Sequence, residues 1–123
     1  MDQYVFIWHP GCSTCKRARA WLEGRGVAFV ARDIRADNPT ADELAEVSRR
    51  SGRPARKLFN TSGQQYRALG VKERLPAMSE AEQFALLASD GMLVKRPLLL
   101  GKDLALVGFR ESEWNAALTE QEG

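Results

Sequence analysis

The two cysteines of this chain lie three positions apart, as Cys12 and Cys15 in the stretch HPGCSTCKRARAWL. A cysteine pair at this spacing fits three interpretations. It can exchange a reversible disulfide with other thiols, it can supply two ligands to a metal ion, or it can lie unreactive in a core. The neighbouring residues and the elements that position the pair bear on the choice among the three.

A metal site is the least favoured of these interpretations. A structural zinc site needs four ligands, and the chain offers only three nearby candidates, Cys12, Cys15 and His9. We therefore expect no metal. His9 is the only histidine and lies at the end of a predicted strand, where a residue without a chemical role is the simpler interpretation. Its imidazole could otherwise tune the ionisation of a neighbouring thiol.

The local sequence places Cys12 at the start of a helix. The β-forming run YVFIW at 4–8 predicts a buried strand that ends at HPG, and residues 13–23 favour a helix. The N–H groups at a helix N-terminus stabilise a thiolate, and such cysteines fall from a pKa of about 8.5 to about 3.5–7.5. Lys16 and Arg17 add positive charge one turn later. We therefore predict that Cys12 is a nucleophile.

Cys15 has a different predicted environment. It falls on the apolar stripe of the same helix with Ala18 and Leu22, so we expect it to be sheltered from solvent. Residues at i and i+3 share a helix face and can form a disulfide. The asymmetry predicts that Cys12 attacks a substrate and that Cys15 resolves the mixed disulfide.

Helices dominate the middle of the predicted chain. A strand at residues 27–30 follows the first helix, with a polar exit from Asp33 to Pro39. Thr40 with Glu43 matches a capping box and predicts a helix that Gly52 ends. A shorter helix at residues 64–69 follows, and a second capping box begins another helix at residue 79.

The last third of the chain has a different pattern. The runs PLLL and LALVG flank Gly101-Lys102-Asp103, which predicts an antiparallel hairpin, and a short amphipathic helix begins near Glu111. The element order βαβ–helical insertion–ββα is the connectivity of an α/β protein with a thioredoxin-like four-stranded mixed sheet. We predict a single domain over residues 1–123, with a core at 3–37 and 91–119 and a helical insertion at 38–90.

A second group of residues leads into the hairpin as Lys95-Arg96-Pro97. In thioredoxin-like folds a proline, usually cis, precedes the third strand and packs against the cysteine turn. If Pro97 is that proline, Arg96 lies beside Cys12, where a guanidinium stabilises a thiolate and binds an anion by paired hydrogen bonds. Either Arg96 or Arg110, near the last helix, could instead be an ordinary surface arginine. The predicted anion- and substrate-binding residues are Gly11, Ser13, Arg96, Pro97 and Arg110.

Composition excludes several classes of protein. The 123 residues are 44% hydrophobic and 28% charged, which is typical of a globular domain. The 18 basic and 16 acidic residues nearly balance, which leaves a net charge of +2. Dedicated nucleic-acid binders usually carry a strong excess of basic residues, so we expect no direct DNA binding. The start MDQYVFIWHPG is not a secretory signal and no apolar run reaches about 20 residues, so we expect a cytoplasmic monomer without membrane contact. Local basic clusters are expected on solvated helix faces: Lys16, Arg17, Arg19, Arg49, Arg50, Arg53, Arg56 and Lys57.

Three stretches together resemble the arsenate-reductase-like/Spx superfamily: GCSTCKRARAWL, SDGMLVKRPLLL and LVGFRESEW, in this order and spacing. The resemblance extends from Tyr4 to about Leu118 and implies a thioredoxin-like fold with a helical insertion. Glutaredoxin-linked arsenate reductases of this superfamily use one nucleophilic cysteine and three arginines around the oxyanion. Cys12, Arg96 and Arg110 match three of these positions, whereas Asn60 stands near the fourth and the chain carries a second cysteine.

Spx-type regulators form the other branch of the superfamily. They carry the Cys-x-x-Cys and Arg-Pro motifs, bind the C-terminal domain of the RNA polymerase α subunit, and switch when the disulfide forms. Cys12, Cys15 and Arg96 fit that pattern as well.

Our leading hypothesis is a small cytoplasmic thiol–disulfide oxidoreductase. It would have no bound cofactor, glutathione or glutaredoxin as electron donor, and a small thiol or an oxyanion as substrate. The alternative is a redox-sensing regulator of the Spx type that binds the RNA polymerase α subunit. An inactive thioredoxin-fold binding module is a third interpretation.

Overall fold

The computed structural model describes residues 3–122, and within them four strands form one mixed sheet in the order β2-β1-β3-β4. The central strand β1 (Tyr4–Trp8) pairs in parallel with β2 (Phe29–Asp33) and antiparallel with β3 (Leu98–Leu100). Strand β4 (Ala105–Val107) pairs antiparallel with β3. The predicted α/β fold with a thioredoxin-like four-stranded mixed sheet is confirmed.

Two helices flank one face of the sheet, and the insertion covers the other. The α-helices are α1 (Ser13–Gly24), α2 (Ala41–Ser51), α3 (Gln64–Ala68), α4 (Val71–Arg74), α5 (Glu80–Ser89) and α6 (Glu111–Glu122). Short 3₁₀ helices occupy Ala55–Leu58, Leu75–Ala77 and Gly91–Leu93. Both predicted capping boxes are present, at Thr40 before α2 and at Ser79 before α5. None of the helices in the described residues is long and apolar enough to cross a bilayer.

Alternate residues of the central strands point into two separate apolar cores. Phe6, Leu99 and Leu106 pack with residues of α1 and α6 on one face of the sheet. Ile7 and Leu98 pack with residues of α2 and α5 on the opposite face. Because both faces are covered, β1 and β3 are continuous apolar runs with no polar alternation.

Strand β2 lies later in the chain than its predicted position at 27–30. The amide of Val27 still donates to the carbonyl of Leu22 (3.1 Å) at the end of α1, so pairing with β1 begins at Phe29. Asp33, predicted as the first residue of the polar exit from this strand, is instead its last residue and lies opposite Trp8. β2 is an edge strand, and edge strands accommodate charged residues that an apolar pattern does not detect.

The insertion is attached to the segment that carries Arg96. Phe59 forms an isolated antiparallel bridge with Val94, flanked by hydrogen bonds from Asn60 N–H to Leu93 O (2.8 Å) and from Lys95 N–H to Leu58 O (2.7 Å). This short ladder fixes residues 58–60 beside residues 93–95. Asn60 is thereby held next to the segment that enters β3.

Candidate active site

Cys12 is the N-cap residue of α1, at the turn between β1 and the helix. Its backbone N–H donates to His9 O (2.9 Å), and its carbonyl accepts from Lys16 N–H (3.0 Å). The His9 ring lies close to Gly11 of this turn: a Cβ added to Gly11 would be 3.0 Å from His9 Nε2. Ser13 is the exposed first residue of the helix. The half-buried Cys12 therefore occupies the helix N-terminus, where its charged form is stabilised.

Cys15 lies one turn further, wholly inside the protein. Its exposed fraction is 0%, and it is buried on the same helix as Ala18 and Leu22. Burial, together with the neighbouring Cys12 sulfur, raises the pKa of the Cys15 thiol to about 12. Both cysteines are free thiols in this structure. Cys15 is therefore the protonated partner of the pair.

The pKa of Cys12 is shifted in the opposite direction. Partial burial opposes ionisation, but hydrogen bonds from the backbone N–H and the thiol of Cys15, and the positive charge and hydrogen bonding of Arg96, lower the pKa of Cys12 below its usual value. Three groups thus converge on one sulfur from two segments distant in sequence. Of the two thiols in the site, Cys12 is therefore the more readily ionised.

The Arg96–Pro97 peptide bond is cis, as expected for the proline that precedes the third strand of a thioredoxin-like fold. The carbonyl of Pro97 accepts a hydrogen bond from Gly108 N–H (2.8 Å), which ties this segment to the end of β4. Nε and Nη1 of Arg96 are buried and have no hydrogen-bond partner within residues 3–122. A guanidinium with unused buried donors is prepared to bind an anion.

Two clefts share Arg96 and Asn60 in their walls. The larger, of about 650 Å³, is lined by Arg35, Asn60, Ser62, Gly63, Gln64, Gln65, Asp90, Met92 and Arg96. The smaller, of about 300 Å³, is lined by Thr14, Arg53, Asn60, Lys95, Arg96, Val107, Gly108, Phe109 and Arg110. Cys12 lines neither cleft. Thr14, on the first turn of α1, places the smaller cleft next to the cysteine turn.

The structure brings Arg96 and Arg110 into one cleft wall, although Arg110 itself is exposed. It also adds Arg53 and Lys95, which sequence reasoning did not place in the site. Arg53 was expected on a solvated helix face; it is half-buried and forms an ion pair with Glu113 (3.2 Å). No local sequence pattern predicts this pair, because Arg53 and Glu113 are far apart in the chain. For Lys95, the only feature of the sequence that points to the site is its position next to Arg96 in the Lys95-Arg96-Pro97 motif.

Asn60 and His9 are the other two residues with a predicted place near the site. Asn60 stands where the resemblance expects an arginine, and its side-chain amide lies close to Gly63, where an added Cβ would meet Nδ2 at 2.8 Å. The His9 Nδ1 atom is buried without a hydrogen-bond partner in the described part of the chain. Within residues 3–122 no group of three or more His, Cys, Asp or Glu side chains is placed to hold a metal ion.

Comparison with known proteins shows similarity over most of the chain. The sequence profile of the ArsC family matches residues 7–117. The uncharacterized protein YusI of Bacillus subtilis is 46% identical over 110 residues, which cover 89% of this chain and 93% of the relative. A global transcriptional regulator, Spx 1 of Oceanobacillus iheyensis, is 30% identical over 105 residues, covering 85% of this chain and 78% of the regulator.

Solved structures are similar over nearly the whole chain. An ArsC family related protein from Bacteroides fragilis superposes with a TM-score of 0.90 at 45% identity, covering 93% of this chain and 96% of that one. A protein from Streptococcus mutans, described as a possible arsenate reductase, superposes with a TM-score of 0.84 at 41% identity, covering 94% and 99% of the two chains.

Proposed function

The chain belongs to the ArsC family, and from that membership and the site geometry we propose that it is a small thiol–disulfide oxidoreductase. Cys12 is the nucleophile and Cys15 is the resolving thiol. The observation that carries the proposal is the opposite pKa shift of two thiols in one helical turn, lowered at Cys12 and raised to about 12 at Cys15. An inert pair in the core would have no reason to hold an arginine against one of its sulfurs.

The proposed reaction has two exchange steps. The Cys12 thiolate attacks one sulfur of a disulfide R–S–S–R, the substrate S–S bond breaks, a Cys12–S–S–R bond forms and RS⁻ leaves. Cys15 then attacks the Cys12 sulfur, so that an internal disulfide forms and the Cys12–S–S–R bond breaks; the second RS⁻ leaves and takes up the Cys15 proton as RSH. Two electrons pass from the cysteine pair to the substrate.

An external thiol must return the pair to its reduced form. We propose glutathione or a glutaredoxin-type protein as that electron donor, acting in the cytoplasm on a monomeric protein without a bound cofactor. Resolution by Cys15 is coupled to the first step, since formation of the mixed disulfide removes the Cys12 charge that helps to keep the Cys15 pKa high.

We favour a disulfide over an oxyanion as the substrate. Arg96 and Arg110 could hold an oxyanion beside Cys12, but the neutral Asn60 lies in the cleft wall where the resemblance expects a third arginine. Turnover of arsenate with glutathione and glutaredoxin would reverse this preference. No turnover of arsenate, together with reduction of small disulfides under the same conditions, is the expected result.

The proposal is tested by treating the reduced protein with glutathione disulfide and following its intact mass. We expect the wild-type protein to end as an internal disulfide, and the Cys15→Ser variant to stop as a Cys12–glutathione adduct. The Cys12→Ser variant should form neither product at a comparable rate. If neither an adduct nor an internal disulfide forms in the wild-type protein, the oxidoreductase proposal is wrong.

The second candidate function is a redox-sensing regulator that binds the C-terminal domain of the RNA polymerase α subunit. The similarity of this chain to global transcriptional regulators named Spx, over 85% of its length, supports this alternative. It is tested by binding of the isolated α C-terminal domain to the reduced and the oxidised protein. Tight binding that depends on the Cys12–Cys15 disulfide would favour the regulator, and no binding in either state would exclude it.

A further inference from the structure

The smaller cleft is strongly cationic. Its wall contains three arginines and one lysine, namely Arg53, Arg96, Arg110 and Lys95. Among the described residues that line it there is no acid; the carboxylate of Glu113, on α6, pairs with Arg53 (3.2 Å). Four cations around about 300 Å³, partly compensated by one carboxylate, leave the cleft with an excess of positive charge.

Lys95 is held against the backbone of Gly108, another residue of the cleft wall. A Cβ on Gly108 would lie 2.9 Å from Lys95 Cε, so the lysine stem rests directly on this glycine, which has a φ of +72°. Gly108 is fixed on both sides: its N–H donates to Pro97 O (2.8 Å), and its carbonyl accepts from the buried Trp114 Nε1 (2.9 Å). Tertiary contacts therefore fix Lys95 and Gly108 in the wall, to which Arg110 contributes from an exposed position.

The cleft keeps these charges close together against their mutual repulsion. Burial and the neighbouring positive charges of Arg53 and Arg110 lower the pKa of Lys95. Nε and Nη1 of Arg96 remain buried without a partner in the described chain. An anion in the cleft would relieve the repulsion and supply acceptors for these donors.

We propose that Arg53 and Lys95 extend the predicted anion site of Arg96 and Arg110, so that this cleft binds a carboxylate or phosphate group of the thiol or disulfide that reacts at Cys12. The inference rests on the proposed function and adds the substrate class: small anionic thiols in preference to neutral or cationic ones. Thr14 and Arg96 connect the cleft to the reactive sulfur, since Thr14 lies two residues after Cys12 and Arg96 lowers the Cys12 pKa. Arg53 and Lys95 are the specificity-determining residues.

Three disulfides of similar length and different charge test the selectivity directly. We would measure the rate constant of Cys12 mixed-disulfide formation in Cys15→Ser with 3,3′-dithiodipropionate, bis(2-hydroxyethyl) disulfide and cystamine. Each rate is divided by the rate of the same disulfide with a free cysteine peptide, which removes intrinsic reactivity. We expect the carboxylate disulfide to be favoured by roughly tenfold or more, within the 10–10³ range typical of charged clefts. Glutathione disulfide and coenzyme A disulfide then distinguish a carboxylate from a phosphate source.

A pair of double variants assigns the preference to the cleft. Arg53→Gln with Lys95→Met removes two charges from the wall, and Arg67→Gln with Lys72→Met makes the same change at exposed positions outside the lining. We expect the first double variant to lose most of the carboxylate preference, measured as the ratio of its rates with the carboxylate and the neutral disulfide. The second should behave like the parent. Equal preference in both double variants, or no preference in the parent, would overturn the proposal.

A non-reactive analogue separates this inference from the redox proposal. Suberate has the length and charge of dithiodipropionate without its disulfide, and 1,8-octanediol is its neutral counterpart. We expect suberate alone to shift the amide NMR signals of Gly108 and Phe109 in Cys12→Ser, and the shift to disappear in the Arg53/Lys95 double variant. A redox-inactive protein that still binds suberate would refute the proposed function alone. A redox-active protein with no charge preference and no suberate shift would refute the subsite alone.

Discussion

Cys12 and Cys15 lie in the first turn of α1, and their thiols ionise in opposite directions from the ordinary value. The pKa of Cys12 is lowered although burial opposes its ionisation, because the backbone N–H and thiol of Cys15 and the guanidinium of Arg96 favour the thiolate. Burial and the Cys12 sulfur raise the pKa of Cys15 to about 12. One helical turn thus separates the thiol that we propose as the nucleophile from the thiol that we propose as its resolving partner.

The first prediction concerns the pH dependence of alkylation at Cys12. In Cys15→Ser the alkylation rate of Cys12 should rise through a midpoint below about 8.5, the value of a free cysteine. Substitution of Arg96 by Met should move the midpoint upward, because the positive charge that favours the thiolate is lost. For each pH unit by which the midpoint rises, the thiolate fraction on the acid side of the midpoint falls about tenfold, and the alkylation rate falls with it.

Iodoacetamide alkylation followed by mass spectrometry provides the measurement. Arg56→Gln, at an exposed position of the insertion, is the matched control and should leave the midpoint unchanged. An Arg96→Lys variant should have a midpoint between those of the parent and of Arg96→Met, because lysine keeps the positive charge. A midpoint that does not respond to Arg96→Met would mean that this guanidinium does not stabilise the thiolate.

The second prediction concerns Cys15. In Cys12→Ser its alkylation at pH 7 should be at least about tenfold slower than that of Cys12 in Cys15→Ser, since Cys15 is fully buried and desolvation holds it in the thiol form. The same assay at pH 9 and pH 10 should show its rate still rising. Equal rates for the two cysteines at neutral pH would contradict the assigned roles.

The third prediction concerns Gly91, where the insertion meets the segment that leads to Arg96. A Cβ at this position would lie 2.0 Å from the carbonyl oxygen of Ile34, so the backbone must move to accept any side chain. Gly91→Ala should cost about 1–3 kcal/mol in the free energy of unfolding. Gly24→Ala, at a glycine of α1 with nothing within 4 Å of the added Cβ, is the control and should be neutral or slightly stabilising. Urea unfolding of the two variants is the measurement, and equal stabilities would contradict the packing described at Gly91.

The fourth prediction concerns the ion pair between Arg32 and Glu43 (2.7 Å), which ties β2 to the capping box of α2. The Arg32 guanidinium lowers the pKa of Glu43 to about 2. A depressed pKa in the folded state gives stability that is complete above the unfolded value of about 4.3 and is lost as the pH falls toward 2.

Glu43→Gln should therefore destabilise the protein by roughly 1 kcal/mol at pH 7 and progressively less between pH 4 and pH 2. Thermal unfolding across this pH range checks the prediction. Glu73→Gln, an exposed substitution on α4, serves as the control and should change stability little at any of these pH values. A Glu43→Gln effect that is independent of pH would mean that the charge pair contributes nothing.

Sequence patterns predict the local parts of this fold well. The run Tyr4–Trp8 is the observed β1, and the hairpin lies on both sides of Gly101-Lys102-Asp103 as expected. Both capping boxes form because their hydrogen bonds join residues three positions apart. Such signals depend on neighbouring residues, so they can be read without the tertiary structure.

Other features depend on contacts that no local pattern records. The edge strand β2 begins two residues later than predicted, because the amide of Val27 completes the end of α1. Arg53 lines the cleft and pairs with Glu113 of α6, 60 positions away in the chain. The cleft itself joins residues of α1, the insertion and the β3–β4 region, and its charge emerges only when these parts fold together.

The central claim is that Cys12 reacts first and that Cys15 completes the exchange. The most direct test is to treat the reduced wild-type protein with excess 5,5′-dithiobis(2-nitrobenzoate), recording both the released thiolate and the final protein mass. We predict release of two thiolates per chain and a protein that is lighter by two hydrogen atoms, with no adduct. Cys15→Ser should release one thiolate rapidly and keep one adduct at Cys12. A wild-type protein that ends with an adduct on each cysteine would contradict the account.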